Sequence, residues 1–426
     1  MRRAMSTAIS RTIDLRKGHP SERNLPHAAL AAASRAAADR CALGERGLPL
    51  QYASNTLGTP NFRSVLSSFL SREYGSPVPA ASLFTTNGVS HGLELACGAL
   101  ARPSDVVLCE EPTYFLAHQI FKDHGLKIVG VESDRDGLRT DILAAKLADG
   151  SLPKPKLLYL VPTHGNPSGA SLPVERRRQL VALAEEHDFV VLADDVYQLL
   201  DWREAKLPRL LSYDSAYRER CASAGDGGER DDDAAAYDPS QTPPSGAGEK
   251  SGSDGHVVSV GSFTKILSPG LRLGWLEAAP SLLARVAERG YLVSGGGVAP
   301  FVSEVVAEVL SSGAQNEVLD SLCADYAEKS AALVDALRAE GLFEVEAPPD
   351  GGYFMWVKLP DGVSADALLP VAEAHGVVFL PGTRCGYEAQ FGGHARLCFA
   401  MEERDLLVEG AKRLGAATRE LLAAAQ

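Results

Sequence analysis

The stretch Val257-Val258-Ser259-Val260-Gly261-Ser262-Phe263-Thr264-Lys265-Ile266-Leu267-Ser268-Pro269-Gly270-Leu271-Arg272-Leu273-Gly274-Trp275 decides the fold. Its first four residues form a β-branched run and read as a short buried strand. A loop follows, with a hydroxyl residue three before a lysine and an arginine seven after it. Pro269-Gly270 marks a turn between the two cations. The strand therefore ends by presenting one primary amine and one guanidinium. Most loop lysines are simply solvated. Two cations set close together point instead to a bound anion, and Arg272 would also lower the pKa of Lys265 towards nucleophilic use.

Working outward, the same pattern recurs upstream. Apolar runs at 82–86, 106–109, 127–131, 157–161 and 189–193 read as strands, with helices at 91–100 and 174–186 between them. Short, continuous apolar strands separated by amphipathic helices imply a parallel sheet covered on both faces. Ligands of such sheets bind at the carboxyl ends of the strands. Polar clusters fall at those ends: Asn87-Gly88-Val89-Ser90, Glu110 to Tyr114, His164-Gly165-Asn166-Pro167 and Asp194-Asp195-Val196-Tyr197. Each alone could be an ordinary turn or helix cap; with the lysine loop they make five at one edge. Before the sheet come an extended arm at 13–26, an alanine-rich helix at 28–42, and a helix after the Gly58-Thr59-Pro60 turn, capped by Thr59 or Asn61.

Composition bounds the rest. A chain of 426 residues with 45% apolar and 23% charged residues buries a large core and suits two domains. The net charge of −13 argues against a nucleic-acid partner. Seven scattered cysteines without a CxxC pair fit reduced thiols in the cytoplasm. The histidines lack metal-ligand spacing, so no metal site is expected. No apolar run reaches the roughly 18 residues of a membrane helix. Residues 1–12 hold three arginines and no acid, a pattern shared with targeting peptides but also with a frayed terminus. Residues 222–255 carry eight acids and two bases, a net of −6, and almost no large aliphatics. That composition predicts a disordered acidic insertion.

Downstream, a helix is expected at 280–291, then Ser294-Gly295-Gly296-Gly297, either a phosphate cradle or a plain loop. Residues 314–340 lack glycine and proline and read as one helix spanning two domains. Strands at 354–357, 377–380 and 396–400 and a helix at 402–422 make a smaller unit. The expected organisation is an arm and helix over 1–48 packing with the small domain, a large domain over 49–300, and an interdomain helix plus small domain over 301–426.

In this order Gly88-Val89-Ser90, Tyr114, Asn166-Pro167, Asp194 with Tyr197, Ser262-x-x-Lys265, Arg272 and Arg396 resemble the pyridoxal-phosphate (PLP) aminotransferases of fold type I, class I/II. The likeness runs from about Asp14 to Leu414 and is closest to the 2-aminoadipate and kynurenine aminotransferase branch. It implies an α/β fold with a mostly parallel seven-stranded sheet between helices and a smaller C-terminal α/β domain. It implies that Lys265 carries the cofactor and then serves as the base that moves the substrate α-proton, worth roughly 10²–10⁴-fold in rate. Asp194 would keep the pyridine nitrogen protonated, which makes the ring a better electron sink. Asn166 and Tyr197 would bond the phenolic oxygen, and Tyr114 would stack on the ring. Val89, Ser90, Ser262, Thr264 and Arg272 would hold the phosphate. Tyr52 resembles the tyrosine that reaches the neighbouring subunit's phosphate, implying a homodimer with shared sites. Arg396 would grip the substrate α-carboxylate with its planar fork, and Gly18 would lie near the substrate side chain.

His164-Gly165 departs from relatives that often carry an aromatic or glutamine there. No second arginine for a side-chain carboxylate is identifiable, which argues against strict aspartate specificity. A PLP lyase or cyclase, eliminating at the β-carbon or closing a cyclopropane, would share every one of these motifs. A non-catalytic sensor, as in regulators fusing this fold to a DNA-binding domain, is disfavoured by the charge and by the filled catalytic positions.

Overall fold

A computed structural model describes residues 11–42, 50, 52, 55–224, 255–345, 347–387 and 390–425. Residues 1–10 of the arginine-bearing terminus, and residues 225–254 of the acidic insertion, lie outside the described residues.

The large sheet runs in the spatial order Leu83–Thr86, Gly274–Ala278, Val257–Ser262, Val190–Asp194, Leu157–Leu160, Val106–Glu111, Lys127–Asp134, Gly137–Leu138. Seven of these are the expected strands' number. The eighth is a two-residue addition, Gly137–Leu138, turned back antiparallel on Lys127–Asp134. The five central strands from Val257–Ser262 to Lys127–Asp134 are mutually parallel. Leu157–Leu160 and Val190–Asp194 are buried along their whole length, as an apolar strand covered on both faces must be.

Gly274–Ala278 is antiparallel to both neighbours. The reason is connection length: only the lysine loop joins it to Val257–Ser262, with no crossover helix to bring the chain round for a parallel strand. Pairing Ser262 with Gly274 closes that loop at its base. Two glycines permit the closure. A Cβ on Gly261 would lie 2.1 Å from the Trp275 ring, and one on Gly274 would lie 2.5 Å from the Gly261 carbonyl and 2.9 Å from Gly88 Cα.

Several local expectations shift. The helix expected from His91 starts at Val89. The helix at 280–291 is two, Pro280–Ala287 and Gly290–Gly295. The glycine run ends the second of these, with Gly296 as a left-handed cap, and does not line the cavity described below. Pro300–Ser311 is an additional helix, starting on its proline. Thr59 occupies the N-cap of Pro60–Tyr74 but makes no capping bond; it and Asn61 donate to the buried Glu304 carboxylate at 2.7 and 2.6 Å. Arg40 pairs with the same carboxylate at 2.8 Å, so Glu304 ties His27–Ala42, Pro60–Tyr74 and Pro300–Ser311 together.

The helix Ala314–Glu340 stands as expected, flanked by left-handed Gly313 and Gly341. Its Gln315 Nε2 donates to the Ile266 carbonyl at 2.8 Å, bracing the lysine loop. The small sheet is antiparallel, in the order Glu344–Val345, Phe354–Lys358, His394–Cys398, Leu380–Pro381. The run 377–380 is not one strand. Val377–Val378 leaves the small sheet to pair in parallel with Ile13–Asp14, which anchors the N-terminal arm. Among the described residues no helix is long and apolar enough to cross a membrane, and no histidine, cysteine and carboxylate cluster could hold a metal ion.

Candidate active site

The strand ends and the arm converge on one cavity of about 480 Å³. Val89, Ser90, Tyr114, Asn166, Asp194, Tyr197, Thr264, Lys265, Arg272, Gly18 and Arg396 all line it. One residue expected there, Ser262, does not. Ser262 is 2% exposed and sits one layer behind, where its hydroxyl donates to Thr264 Oγ1 at 2.8 Å and accepts from the Thr264 amide at 3.1 Å. Through these bonds it is joined to Thr264, which does line the cavity. Tyr52, expected at the neighbouring subunit's phosphate rather than in its own chain's cavity, is 82% exposed and is not on this lining.

Lys265 projects from the loop after Val257–Ser262. Its Nζ donates to the Gly18 carbonyl at 2.6 Å and lies 5.1 Å from the centre of the Tyr353 ring. The Tyr353 hydroxyl donates to the Lys265 carbonyl at 3.0 Å. Burial pushes the Lys265 amine down to about 8; Cys398 and Asp194 oppose this, and Arg396 and Arg272 add to it. An amine so placed is partly neutral near neutral pH, as a nucleophile or base must be.

At one end of the cavity the helix Val89–Leu100 points its N-terminus inward, where backbone amides lack intrahelical acceptors. Gly88 turns the chain into that helix at φ +89°, and a Cβ there would stand 3.2 Å from Arg272 Nη2. Arg272 is held by the Asn87 carbonyl at 3.3 Å and the Pro269 carbonyl at 3.2 Å, with Thr264 Oγ1 3.4 Å away. A helix terminus, a hydroxyl and a guanidinium together form an anion cradle.

Asp194 is also on the lining. It is 2% exposed, and burial pushes its carboxyl up to about 7. The Tyr159 hydroxyl donates to its Oδ2 at 2.9 Å, whereas Oδ1 is buried without a partner. A buried carboxylate oxygen lacking a donor carries a desolvation cost that a cationic N–H would remove. Arg396 lies over the Phe354 ring at 4.0 Å and donates to Asn166 Oδ1 at 2.9 Å and the Arg16 carbonyl at 2.6 Å. Its buried Nε has no partner either. Tyr197 is packed against Tyr353 and Phe354, with centroids at 5.5 and 6.0 Å. Residues not foreseen are Arg16, Lys17 and His19, which flank Gly18 on the arm, and an apolar wall of Phe115, Leu116, Phe354 and Leu380. The first three were within reach, as neighbours of a residue already singled out. Leu380 and Phe354 enter only because the small sheet folds over the large one.

The sequence model of the family "Aminotransferase class I and II" matches residues 11–414. The chain belongs to that family. It is 30% identical to the 2-aminoadipate transaminase of Thermus thermophilus over 89% of this chain and 85% of that one. It is 26% identical to aromatic-amino-acid aminotransferase 1 of Thermococcus litoralis, over 87% and 80%. The solved α-aminoadipate aminotransferase of Thermus thermophilus, complexed with N-(5'-phosphopyridoxyl)-L-leucine, superposes with a TM-score of 0.77 at 28% identity, covering 97% of this chain and 93% of that one.

The enzyme is thus a PLP-dependent aminotransferase of fold type I, transferring an amino group between an amino acid and a 2-oxo acid. The donor set fits the cofactor on this chain's own terms. An anion cradle, an unpartnered carboxylate oxygen and a lysine of lowered pKa share one cavity.

Proposed function

We propose that this cavity is the shared cofactor and substrate site of an aminotransferase of broad specificity, taking aromatic and aminoadipate-like L-amino acids. The observation that carries the assignment is the unpartnered Oδ1 of Asp194 on the same cavity as Lys265 and the Arg272 cradle. In this reading Val89, Ser90, Thr264 and Arg272 hold the phosphate, with Ser262 orienting Thr264. Asp194 holds the ring nitrogen as a cation, and Tyr159 orients the carboxylate. Asn166 and Tyr197 face the phenolic oxygen, and Tyr114 covers the ring. Lys265 binds the cofactor and moves the α-proton; Arg396 takes the α-carboxylate. The bound cofactor supplies the electron sink for the substrate's α-carbon.

The substrate range rests on the lining. Phe115, Leu116, Phe354 and Leu380 offer an apolar wall, while Arg16 and Lys17 put positive charge at the arm; burial and the nearby Lys265 push the His19 imidazole down, which favours its neutral form. Asp14 partly neutralises that charge, 3.2 Å from Arg16 and 3.5 Å from Lys17. An extended side chain, apolar along its length and able to end in a carboxylate, suits such a surface. The relatives' names agree with it, and nothing in the comparisons favours the lyase or cyclase alternative.

We further infer a homodimer that completes the site, because Tyr52 is exposed beside Leu50, which is 73% exposed. A cytoplasmic location is inferred from the seven unpaired cysteines. The chain divides near residue 300, between the two sheets.

The test is a half-reaction. Holoenzyme incubated with one amino acid and no 2-oxo acid should yield pyridoxamine phosphate in proportion to enzyme, for aromatic and aminoadipate donors alike. Catalytic release of pyruvate or a thiol, or conversion with aspartate alone, defeats this reading.

A further inference from the structure

His164 does not line the cavity, yet neighbours close on it from several sides. Its backbone is left-handed at φ +51°, unusual outside glycine, and its side chain is wholly buried. Nε2 lies 3.4 Å from Asp201 Oδ2 without an aligned hydrogen bond, and Nδ1 lies 3.4 Å from both Asp350 Oδ1 and Ser171 Oγ. Ser171 Oγ accepts the His164 amide at 3.1 Å. The chain at Gly351-Gly352 is moulded onto the ring. A Cβ on Gly351 would come within 2.0–2.2 Å of three ring atoms, and one on Gly352 within 2.8 Å of His164 Cβ.

This contact sits on the seam between the large sheet's loops and the small sheet. Asp201 bridges Gly351 through the backbone, Trp202 donates to the Asp350 carbonyl at 3.2 Å, and Gly352 donates to the Leu200 carbonyl at 2.8 Å. Arg203 holds Asp201 with several hydrogen bonds and reaches Asp350 at 3.8 Å. Two residues beyond His164 is Asn166, which accepts from Arg396. Immediately beyond Gly352 are Tyr353, bonded to the Lys265 carbonyl, and Phe354, under Arg396 and against Gly18. The two segments that set the reacting amine and the carboxylate-binding guanidinium are therefore joined at one imidazole.

We propose that His164 is a positioning residue for transamination: clamped between Asp201 and Asp350 with Gly351 on its ring, it locks the Asn166 loop to the strand carrying Tyr353 and Phe354. It thereby fixes Lys265 relative to Arg396. Displacements of about 1 Å at such distances cost about 10²-fold in rate. This inference rests on the site assignments made above for Lys265 and Arg396.

The experiment uses holoenzyme variants His164→Phe, His164→Gln, Asp350→Ala and the double variant His164→Phe with Asp350→Ala. Phenylalanine keeps a flat ring against Gly351 and removes both nitrogens. Asp350 is half-exposed, so its truncation tests the same clamp with little burden on folding. Half-reactions with one amino acid give the maximal rate and the apparent substrate affinity separately; PLP affinity and melting temperature are measured alongside. In His164→Phe and Asp350→Ala the maximal rate should fall at least tenfold while PLP affinity is retained. The double variant should be no worse than His164→Phe alone, and His164→Gln should recover part of the loss. Independently of activity, hydrogen exchange at the Trp202 and Gly352 amides should quicken in substrate-free holoenzyme. Wild-type rates in both single variants, additive losses, or losses that merely track the unfolded fraction would overturn the proposal. Failure of the aminotransferase assignment is distinguishable, because wild-type enzyme would then show no half-reaction at all.

Discussion

Replacing Asp194 by Asn should move the stability of the apoenzyme and that of the holoenzyme in opposite directions. In the folded apoenzyme the Asp194 carboxyl is pushed from 3.8 to about 7, chiefly by burial, with Asp195 adding to it and the Tyr159 hydrogen bond opposing it. A raised acid pKa means the folded chain binds a proton the unfolded chain has released. Between about pH 4 and pH 7 the folded state therefore loses stability as pH rises, and above pH 7 the full cost of the buried carboxylate is present. At about 1.4 kcal/mol per pH unit the cost reaches about 4 kcal/mol. Asparagine keeps an oxygen for the Tyr159 hydroxyl and removes the charge. Urea unfolding of cofactor-free protein at pH 8 should find Asp194→Asn more stable than wild type by up to about 4 kcal/mol, the two converging near pH 4. Adding PLP should reverse the order, since a cationic ring nitrogen turns the carboxylate's cost into an ion pair that asparagine cannot make. Half-reaction rates should fall by at least about 10² as the electron sink weakens. A variant apoenzyme no more stable than wild type at pH 8, or a difference that ignores pH, would refute this reasoning.

Gly88→Ala places a side chain at φ +89°, ψ 179°, a region essentially reserved for glycine, and within 3.2 Å of Arg272, so PLP affinity should drop several-fold while the melting temperature of the apoenzyme falls by no more than about 1–3 kcal/mol of strain implies; unchanged affinity in a spectroscopic titration would remove Arg272 from the cradle. Arg209→Ala should destabilise the chain by about 3–5 kcal/mol in chemical unfolding, because Glu277 is fully buried and relies on Arg209 and the Tyr217 hydroxyl. Enzyme that remains folded should keep its half-reaction rate, since this pair lies outside the cavity.

Much of the architecture was legible from local pattern. Parallel central strands are continuous apolar runs because both faces are covered, and the polar clusters after 86, 111, 161, 194 and 262 fall at one edge because all those strands point the same way. Gly274–Ala278 was not legible. Its sequence resembles any short apolar run, and its direction follows from the absence of a crossover between it and the lysine loop. The run 377–380 divides between two sheets because the arm at Ile13–Asp14, more than 360 residues away in the chain, pairs with half of it. Thr59 followed the capping rule in position but not in bonding, since a buried Glu304 competed for its hydroxyl.

The sequence alone determined the chemistry: an amine, a carboxylate and one guanidinium beyond the strand ends of the large sheet, and a second guanidinium, Arg396, on a strand of the small one. Residue type sets what a group can do, and the period of apolar residues sets which end of the sheet it reaches. The tertiary structure decided which of those groups share the cavity. It drew Ser262 back by one layer, left Tyr52 on the surface, and brought Phe354 and Leu380 over the site from the small sheet. It also joined His164 to Gly351. The opening stretch shows the division. Its spacing placed Lys265 and Arg272 on one loop, but burial in the folded chain, with the charges of Arg396 and Arg272 adding to it, brings the amine to about 8. Desolvation and packing depend on which distant segments meet, and no local spacing records that.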